Sequence, residues 1–464
     1  MRPPSRCHRA FAVWLCVALG CGAASAAAEQ LVALGAARID ATPALPIQLA
    51  GYQQRAVEAT RVEAPLHARA LAIGSDAEGP VVIVTAEVVA VSEALSDAVA
   101  AAVRAKHPAV TRERIAVCAT HQHTGPAIAG TIPFMFSRDL PAEVTAHIEK
   151  FTTMLRDKMI AAALAALADR KPALLSWGQG SASFAVNRRK VVDGKHIGYT
   201  DQPGGVVDHA LPVLRAVDAS GAVRAVLVSY ACHCTVLKGG DNFVHPDWAG
   251  DAATRLEAAH PGAVALIAIG CGADSDPQPR GLANIATHGQ TIAAEVARLF
   301  AGEMRPLGRV TSAKFSAIDI PLARTVTRAE LEARLKDKPN IAYAAAQHLK
   351  RLDAGQPLPA GIRYPVQAWT FGGELAMVFL GGEVVADYSL RLKRELGASR
   401  VWVNAYANHQ PCYIPSTRIL AEGGYEAQDA MDYYGLPTRL APDVEERIVG
   451  TVHALLPKEF SPRP

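Results

Sequence analysis

The sequence predicts an α/β fold, a layered mixed-sheet domain with helices packed on the sheets. Apolar runs typical of β-strands alternate with amphipathic runs of helical spacing through most of the 464 residues. Two of the strand-like runs, VVIVTAEVV and AVALIAIG, are apolar on both faces, as expected for central strands covered by helices. The composition, 50% hydrophobic and 20% charged, is ordinary for a folded globular protein.

Each predicted strand is a short apolar run rich in Val, Ile, Leu and Ala. The predicted strands cover residues 81–91, 114–120, 225–230, 264–269, 365–380 and 400–406. Each predicted helix repeats its apolar residues at helical spacing over a longer stretch. The predicted helices cover residues 93–105, 141–169, 248–259, 285–300 and 442–456.

Residues 1–28 are predicted to be a secretory signal peptide. Three arginines precede the apolar stretch AFAVWLCVALGCGA, which leads into the small residues ASAAAE. An alternative interpretation makes Val-Ala-Leu-Gly-Cys21 a lipoprotein cleavage site with a lipid anchor on Cys21. No later stretch reaches the length of a membrane span. We therefore expect an exported protein, periplasmic or secreted, without a transmembrane span.

Residues 29–464 are predicted to form one domain, because they contain no repeat, low-complexity tract or long linker. The net charge of +3 and the scattered basic residues do not indicate nucleic-acid binding. Five cysteines beyond the signal region lie in or beside apolar runs, namely Cys118, Cys232, Cys234, Cys271 and Cys412. A thiolate zinc site would use close pairs such as C-x-x-C. We interpret these cysteines as small packing residues, with one disulfide as an alternative.

Two histidines, His121 and His123, stand one residue apart directly after the predicted strand 114–120. If strand geometry persists to this point, both imidazoles face one side, roughly 7 Å apart. The Thr-Gly-Pro that follows turns the chain away. The simpler alternative is a pair of surface histidines in a loop.

Polar residues suited to metal binding or acid–base chemistry follow four other predicted strands. They are His233, Asp274, Asp276, Glu383, Tyr406 and Tyr413. Histidine and carboxylate side chains from separate strands are the ligand set of a zinc site with an open position for water. Each residue alone has a simpler explanation, such as a helix cap or a hydrogen-bonded core histidine. Their shared position at strand ends, where α/β proteins place their chemistry, indicates a metal site.

Several other catalytic classes are excluded by missing motifs. No serine lies in G-x-S-x-G, so the nucleophile elbow of serine hydrolases is absent. The helical H-E-x-x-H zinc motif, the Walker A loop and the dinucleotide fingerprint are absent too. The Asp-His expected of metallo-β-lactamase folds does not follow His123. Any metal site must therefore be assembled from distant segments.

A series of short motifs, in this order, resembles the neutral ceramidase family, the zinc amidases that cleave the N-acyl bond of sphingolipids, and their bacterial relatives. The resemblance covers most of the chain after the signal region. Its motifs are Gly35-Ala-Ala-Arg-Ile-Asp40-Ala-Thr-Pro43, Leu49-Ala-Gly51-Tyr52, His121-Gln-His123-Thr-Gly125-Pro126, Asn187-Arg188, Ala231-Cys-His233-Cys-Thr235, Asp247-Trp-Ala-Gly250, Gly382-Glu383, Asn404-Ala-Tyr406, Cys412-Tyr413-Ile-Pro415 and Glu422-Gly-Gly-Tyr425-Glu426.

The resemblance implies one Zn²⁺ ion as cofactor, held by His121, His233, Glu383 and Tyr413. It leaves open whether a second metal binds. Zinc lowers the pKa of its water ligand toward 7 and polarises a carbonyl group as a Lewis acid.

The resemblance also implies two catalytic side chains beside the metal. His123 matches the second active-site histidine of the family and is suited to carry a proton to the leaving amine. Arg188 matches the family's active-site arginine and is suited to stabilise an oxyanion. The implied substrate is a small-molecule or lipid N-acyl amide.

This chain departs from the family in the loop after the strand 264–269. Where ceramidases have a serine, this chain has Asp276, and Ser275 lies one place earlier. We assign a catalytic role to Asp276 and a substrate-binding role to Ser275. The chain ends at residue 464, so we expect no C-terminal immunoglobulin-like domain. Another N-acyl amide or an ester is therefore as good a candidate substrate as ceramide.

The apolar loop after the histidine pair, residues 131–137, is a candidate lining for an acyl pocket through Phe134 and Phe136. Simple burial in the core is the alternative. Three functions remain open from the sequence: a zinc amidohydrolase, a zinc esterase, and an inactive exported relative that retains a binding role.

Overall fold

The computed structural model describes residues 31–460. The predicted signal peptide, with Cys21, lies outside the described residues, and its cleavage stays a prediction. Within residues 31–460, no helix combines the length and the apolar character that a membrane crossing requires.

The described part of the chain alternates strands and helices, as predicted. Its strands are β1 Val32–Asp40, β2 His67–Ile73, β3 Val81–Ala86, β4 Ile115–Ala119, β5 Lys171–Ser181, β6 Ala185–Val192, β7 Lys195–Gln202, β8 Ala210–Val217, β9 Val223–Tyr230, β10 Val264–Ile269, β11 Ser275–Pro277, β12 Arg305–Leu307, β13 Ser312–Pro321, β14 Gly361–Phe371, β15 Leu375–Leu380, β16 Glu383–Val384, β17 Val401–Asn404 and β18 Tyr413–Ile414. Its α-helices are α1 Glu93–Lys106, α2 Ala142–Ala168, α3 Asp247–Ala259, α4 Ile285–Ala301, α5 Arg328–Arg334, α6 Pro339–Asp353, α7 Ala386–Leu396, α8 Thr417–Glu422 and α9 Val444–Leu455.

Two mixed sheets form the centre of the fold. The larger has the order β10-β9-β8-β5-β1-β2-β3-β4, with β12 added beside β5; β9–β10 and β3–β4 are parallel and the other pairs antiparallel. The smaller has the order β13-β14-β15-β17, in which β15 and β17 are parallel. The predicted α/β class with mixed sheets is confirmed.

The two strands whose sequences are apolar on both faces, β3 and β10, are buried on both faces. In β3, Val82 and Val84 belong to one hydrophobic cluster, whereas Val81 and Ile83 belong to a second. The first cluster includes residues of α1, α2 and α3, and the second includes Trp369, Phe379 and Trp402 of the smaller sheet. Helices therefore cover one face of the larger sheet, and the smaller sheet covers the other.

The five predicted helices match α1, α2, α3, α4 and α9 closely, because each has a sustained apolar stripe. Ser92 caps α1, with its Oγ accepting a hydrogen bond from the Leu95 N–H at 3.2 Å. The predicted strand 81–91 is too long, since β3 ends at Ala86. The predicted range 365–380 contains two antiparallel strands, β14 and β15, joined by a turn at Gly372, which has φ 53°.

Strands with one exposed face were missed from the sequence. In β7, for example, five of eight residues are exposed, so the strand carries little hydrophobic signal. The small sheet β11-β6-β7 and the two-stranded pair β16-β18 were missed for the same reason or because they are very short. Both lie at the candidate site described next.

Candidate metal and active site

His121 lies just beyond the end of β4, and its backbone leaves strand geometry. It has φ 53°, in the left-handed region that non-glycine residues rarely adopt. Strand geometry, the condition assumed for the histidine pair, therefore does not persist to this point. The ring Nδ1 lies 2.7 Å from the carbonyl oxygen of Val89, and the ring stacks on Tyr406 with centroids 4.3 Å apart. Because a carbonyl can only accept, Nδ1 carries a proton, so Nε2 presents a lone pair in the neutral ring, the state that binds a metal.

His233, which follows β9, is held in the same way. Its Nδ1 donates to the carbonyl oxygen of Gly272 at 2.9 Å, so its Nε2 also presents a lone pair. The indole N–H of Trp248 donates to the backbone oxygen of His233 at 2.9 Å. Backbone carbonyls that fix the proton of one ring nitrogen are the usual support of metal-binding histidines.

Glu383 brings a carboxylate to these two imidazoles. Its Oε2 lies 3.1 Å from Nε2 of His121 and 3.4 Å from Nε2 of His233. This buried oxygen has no hydrogen-bond donor, because both nitrogens that face it present lone pairs. Three lone pairs that converge in a buried space repel one another unless a cation lies between them. The residues therefore fit a metal ion.

Tyr413 completes the predicted ligand set. Its hydroxyl oxygen lies 3.5 Å from Nε2 of His233 and accepts a hydrogen bond from Nη2 of Arg188 at 3.1 Å. Burial, with the charge of Glu383, raises the pKa of Tyr413 well above its ordinary value. The structure thus brings all four predicted ligands together at the ends of β4 and β9 and on the paired strands β16 and β18.

His123 lies beside the cluster as well. Its Nε2 is 3.1 Å from Nε2 of His121, and its own Nδ1 is buried without a partner. The backbone of Gly51, with φ 88°, passes so close to this ring that a Cβ would lie 2.5 Å from it. The side chains of His121, His123 and His233 offer ligand atoms within 4.8 Å of one another, so all three could hold an ion.

The titration of these groups reflects burial and mutual charge. Burial, with the neighbouring imidazoles of His121 and His233, lowers the pKa of His123 well below its ordinary value. Burial and the charge of Arg188 lower the pKa of His233. Burial raises the pKa of Glu383, but the adjacent imidazoles, when they carry a proton on Nε2, outweigh it and hold that pKa well below its usual range. Neutral imidazoles and an ionised carboxylate are the protonation states that bind a metal.

Arg188 connects the cluster to a buried charge network. Besides Tyr413, its guanidinium donates to Glu426 at 2.9 Å and to Asp276 at 3.3 Å. Asp276 also pairs with Arg280 and accepts a hydrogen bond from Thr235 at 3.3 Å. Burial raises the pKa of Asp276, but the charges of Arg188, His233 and Arg280 outweigh it and lower that pKa.

Asp274 lies directly before β11 and connects two segments of the site through hydrogen bonds. Its carboxylate accepts hydrogen bonds from the Ala386 N–H at 3.0 Å and from Nδ2 of Asn187 at 3.1 Å. Burial raises its pKa to about 7. Since Asn187 precedes Arg188 and Ala386 begins the helix after Glu383, Asp274 positions both segments.

A cavity of about 230 Å³ opens beside the histidine cluster. Its wall combines the predicted site residues His121, His123, Glu383 and Tyr413 with aromatic, amide and apolar side chains. The further lining residues are Gly51, Tyr52, Gln53, Gln54, Val89, Ile132, Met135, Tyr425, Tyr433 and Tyr434. A cavity that combines aromatic and apolar side chains with a few convergent polar groups is typical of a small-molecule site.

A family model described as neutral/alkaline non-lysosomal ceramidase, N-terminal, matches residues 32–298, which is more than half of the chain. The chain belongs to the neutral/alkaline ceramidase family. The resemblance inferred from the motifs is confirmed, and the family supports a ceramidase-like hydrolase.

Two solved structures share the fold of this ceramidase-family chain. Neutral ceramidase from Pseudomonas aeruginosa has a TM-score of 0.68 at 19% identity, over 94% of this chain and 76% of that chain. A structure described as "Ceramidase complexed with C2" has a TM-score of 0.69 at 19% identity, over 94% of this chain and 77% of that chain. None of the curated proteins matches this chain.

Three predicted substrate-binding residues of this ceramidase relative do not line the cavity. Phe134 packs edge-on against Tyr343 and His348, and Phe136 lies beneath the guanidinium of Arg138. The same loop presents Ile132 and Met135 to the cavity instead, because the chain turns at Ile132, which has φ 43°. Ser275 is fully buried in β11, and its hydroxyl has no partner.

Further residues that act on the cluster were not evident from the sequence. Tyr434 and Gln410 both bond to Glu383, and Glu426 bonds to Arg188. Glu426 lies in a motif that carried the resemblance, but nothing in its spacing indicated a partner. Tyr434 lies in a short 3₁₀ helix 51 residues beyond Glu383, without periodicity that could reveal it. The five cysteines in residues 31–460 are buried free thiols, in agreement with the packing interpretation and not with a disulfide.

We expect Asp276→Asn to lower the free energy of unfolding by about 3 kcal/mol, because it leaves two arginines in a largely buried site without their shared counter-ion. Urea unfolding at neutral pH measures the change. Asp353→Asn, which breaks an exposed pair with Arg328, serves as control and should change it by less than about 1 kcal/mol. Equal small changes in both variants would contradict the buried network.

The same pair of variants tests the pH dependence. Because the folded pKa of Asp276 lies below the ordinary value of 3.8, its stabilisation is fully present above that pH and disappears as the pH falls through the folded pKa. The difference between wild type and Asp276→Asn should therefore shrink in acid. A difference that grows as the pH falls would contradict this assignment.

Proposed function

We propose that this protein is an exported zinc-dependent hydrolase that cleaves an N-acyl amide bond of a lipid or related small molecule. The single observation that supports this most directly is the orphan Oε2 of Glu383, which faces the lone pairs of His121 and His233 in a buried space. Membership in the ceramidase family supports amide hydrolysis as the reaction.

His121, His233 and Glu383, with the hydroxyl of Tyr413, are the residues that would hold the metal. A bound Zn²⁺ supplies Lewis acidity toward a carbonyl and lowers the pKa of water. Nitrogen and oxygen ligands from separate strands suit zinc better than they suit the hard cations, which prefer oxygen alone.

The neighbouring side chains supply the remaining chemistry. His123 is neutral at pH 7, since burial and the neighbouring imidazoles lower its pKa, and it lines the cavity, so it can accept a proton and return it to the leaving amine. Arg188 donates to Tyr413 and thereby carries positive charge to the edge of the cluster. That charge favours the negative oxygen that develops in acyl transfer.

Metal content and turnover of the purified protein test this function together. We expect about one zinc per chain and hydrolysis of N-acyl amides that stops on chelation and returns with zinc. A panel of a short-chain ceramide, a simple N-acyl amine and the matching ester separates amidase from esterase activity. If the protein binds zinc but cleaves none of these substrates, the result would instead support an inactive family relative with a binding role. If the purified protein binds no zinc, the proposed metal site is refuted.

We also propose export, on the pattern of residues 1–28. N-terminal sequencing of the protein recovered from the periplasm or the medium should find a start near residues 25–28. A mature protein that begins at a lipidated Cys21 would replace this with membrane anchoring.

A further inference from the structure

We propose that Tyr434 and Gln410 are positioning residues that restrict Glu383 to metal ligation through one oxygen. The inference rests on the proposed function, since it assumes that the cluster holds a metal ion. It concerns the oxygen of Glu383 that faces away from the histidines.

Both residues donate hydrogen bonds to Oε1 of Glu383. The hydroxyl of Tyr434 donates to Oε1, and Nε2 of Gln410 donates to the same atom at 3.3 Å. Nε2 of Gln410 also donates its second hydrogen to the hydroxyl oxygen of Tyr434, which lies 3.0 Å from that nitrogen. The three side chains thus form a closed hydrogen-bonded ring, and each is less than a tenth exposed.

The two oxygens of the Glu383 carboxylate therefore have different surroundings. Oε1 accepts two hydrogen bonds, whereas Oε2 accepts none and faces His121 and His233. Turning the carboxylate so that both oxygens meet a metal ion would break both bonds and leave buried donors without partners. The ring accordingly favours one-oxygen ligation and leaves room at the metal for water or substrate.

Tyr434 is itself fixed by the loop that was expected to line an acyl pocket. The N–H of Phe134 donates to the carbonyl oxygen of Tyr433 at 2.9 Å. Gly435, with φ 69°, lies so close to Phe134 that a Cβ would be 3.2 Å from its ring. Since the Tyr434 ring also lines the cavity, a bound substrate would contact a residue that bonds directly to a metal ligand.

Tyr434→Phe tests the proposal, with Tyr433→Phe as the matched control. Both tyrosines line the cavity, but the Tyr433 hydroxyl bonds to Gln53 at 2.9 Å and not to Glu383. Zinc affinity is measured by competition with a chromogenic chelator, and the visible absorption is recorded after loading with Co²⁺. The melting temperature of each metal-free protein reports any general loss of stability.

We expect Tyr434→Phe to weaken zinc binding about 10- to 100-fold, the usual effect of removing a partner of a metal ligand, and to weaken the Co²⁺ absorption as a second oxygen joins. Tyr433→Phe should retain both wild-type values. Gln410→Met, which removes the other donor, should act in the same direction and provides the test if Tyr434→Phe does not fold.

Wild-type zinc affinity and Co²⁺ spectra in both Tyr434→Phe and Gln410→Met would overturn the proposal. Equal losses in Tyr433→Phe would do the same, because they would assign the effect to the cavity wall. A wild-type protein that binds no zinc would refute the proposed function itself, which keeps the two failures distinct.

Discussion

Replacing Glu383, His121 or His233 by alanine is expected to remove zinc from the protein and to reduce turnover at least about 10³-fold. Metal stabilisation of a developing charge is worth several kcal/mol, and each 1.36 kcal/mol changes a rate tenfold. Each of these side chains supplies one of the convergent lone pairs, so its removal leaves the ion with an incomplete ligand set. Tyr413→Phe should weaken binding less, because tyrosine rarely binds zinc.

Zinc content by elemental analysis and thermal unfolding with and without zinc measure this result. Zinc at 100 times its dissociation constant stabilises a protein by about 2.7 kcal/mol, so wild type should gain this amount and the variants little. His147→Ala is a suitable control, because this half-buried histidine bonds to Glu58 and lies outside the cluster. Full zinc occupancy in all three alanine variants would remove these residues from the ligand set.

His123→Ala is expected to retain zinc and yet lose turnover by about 10²- to 10⁴-fold, the usual worth of general acid–base catalysis. His123 lines the cavity beside the cluster, and it is neutral at pH 7 because burial and its neighbours lower its pKa. It is therefore placed to exchange a proton with a substrate and is not needed to complete the four-residue ligand set.

This variant decides between two roles, because His123 is also one of three histidines within reach of a single ion. Metal content and kcat must be measured on the same preparation, with His121→Ala as the control that loses metal. A proportional loss of metal and activity in His123→Ala would make His123 a ligand. Unchanged metal and unchanged activity would leave the residue without a catalytic role.

Much of the fold follows from hydrophobic patterning. The five predicted helices and buried strands such as β3 and β10 were predictable because their apolar residues follow a local periodicity, whereas the buried strand β2 and helices α6 and α7 were not predicted. Strands β6, β7 and β11 were not predictable, since the hairpin β6-β7 has an exposed face with polar residues, and β11 is only three residues long and pairs with β6 from a distant segment. These are the strands that carry Arg188, Ser275 and Asp276 to the site.

Site residues were predictable in kind but not always in position. His121, His233, Glu383 and Tyr413 were found because they follow apolar strands or match family motifs, and the structure brings them together. The aromatic loop residues Phe134 and Phe136 were assigned to the cavity, whereas the turn at Ile132 points other side chains into it. Local sequence does not show which side of an irregular loop faces inward.

The sequence by itself determined the family, the α/β class and the chemical types that meet at the strand ends, because these depend on motifs and on apolar periodicity. The tertiary structure alone decided which atoms converge: the left-handed turn at His121, the carbonyls of Val89 and Gly272 that orient the imidazoles, and the ring around Oε1 of Glu383. These contacts join segments far apart in the chain. Their geometry depends on how these segments pack against one another, which a local sequence pattern does not predict.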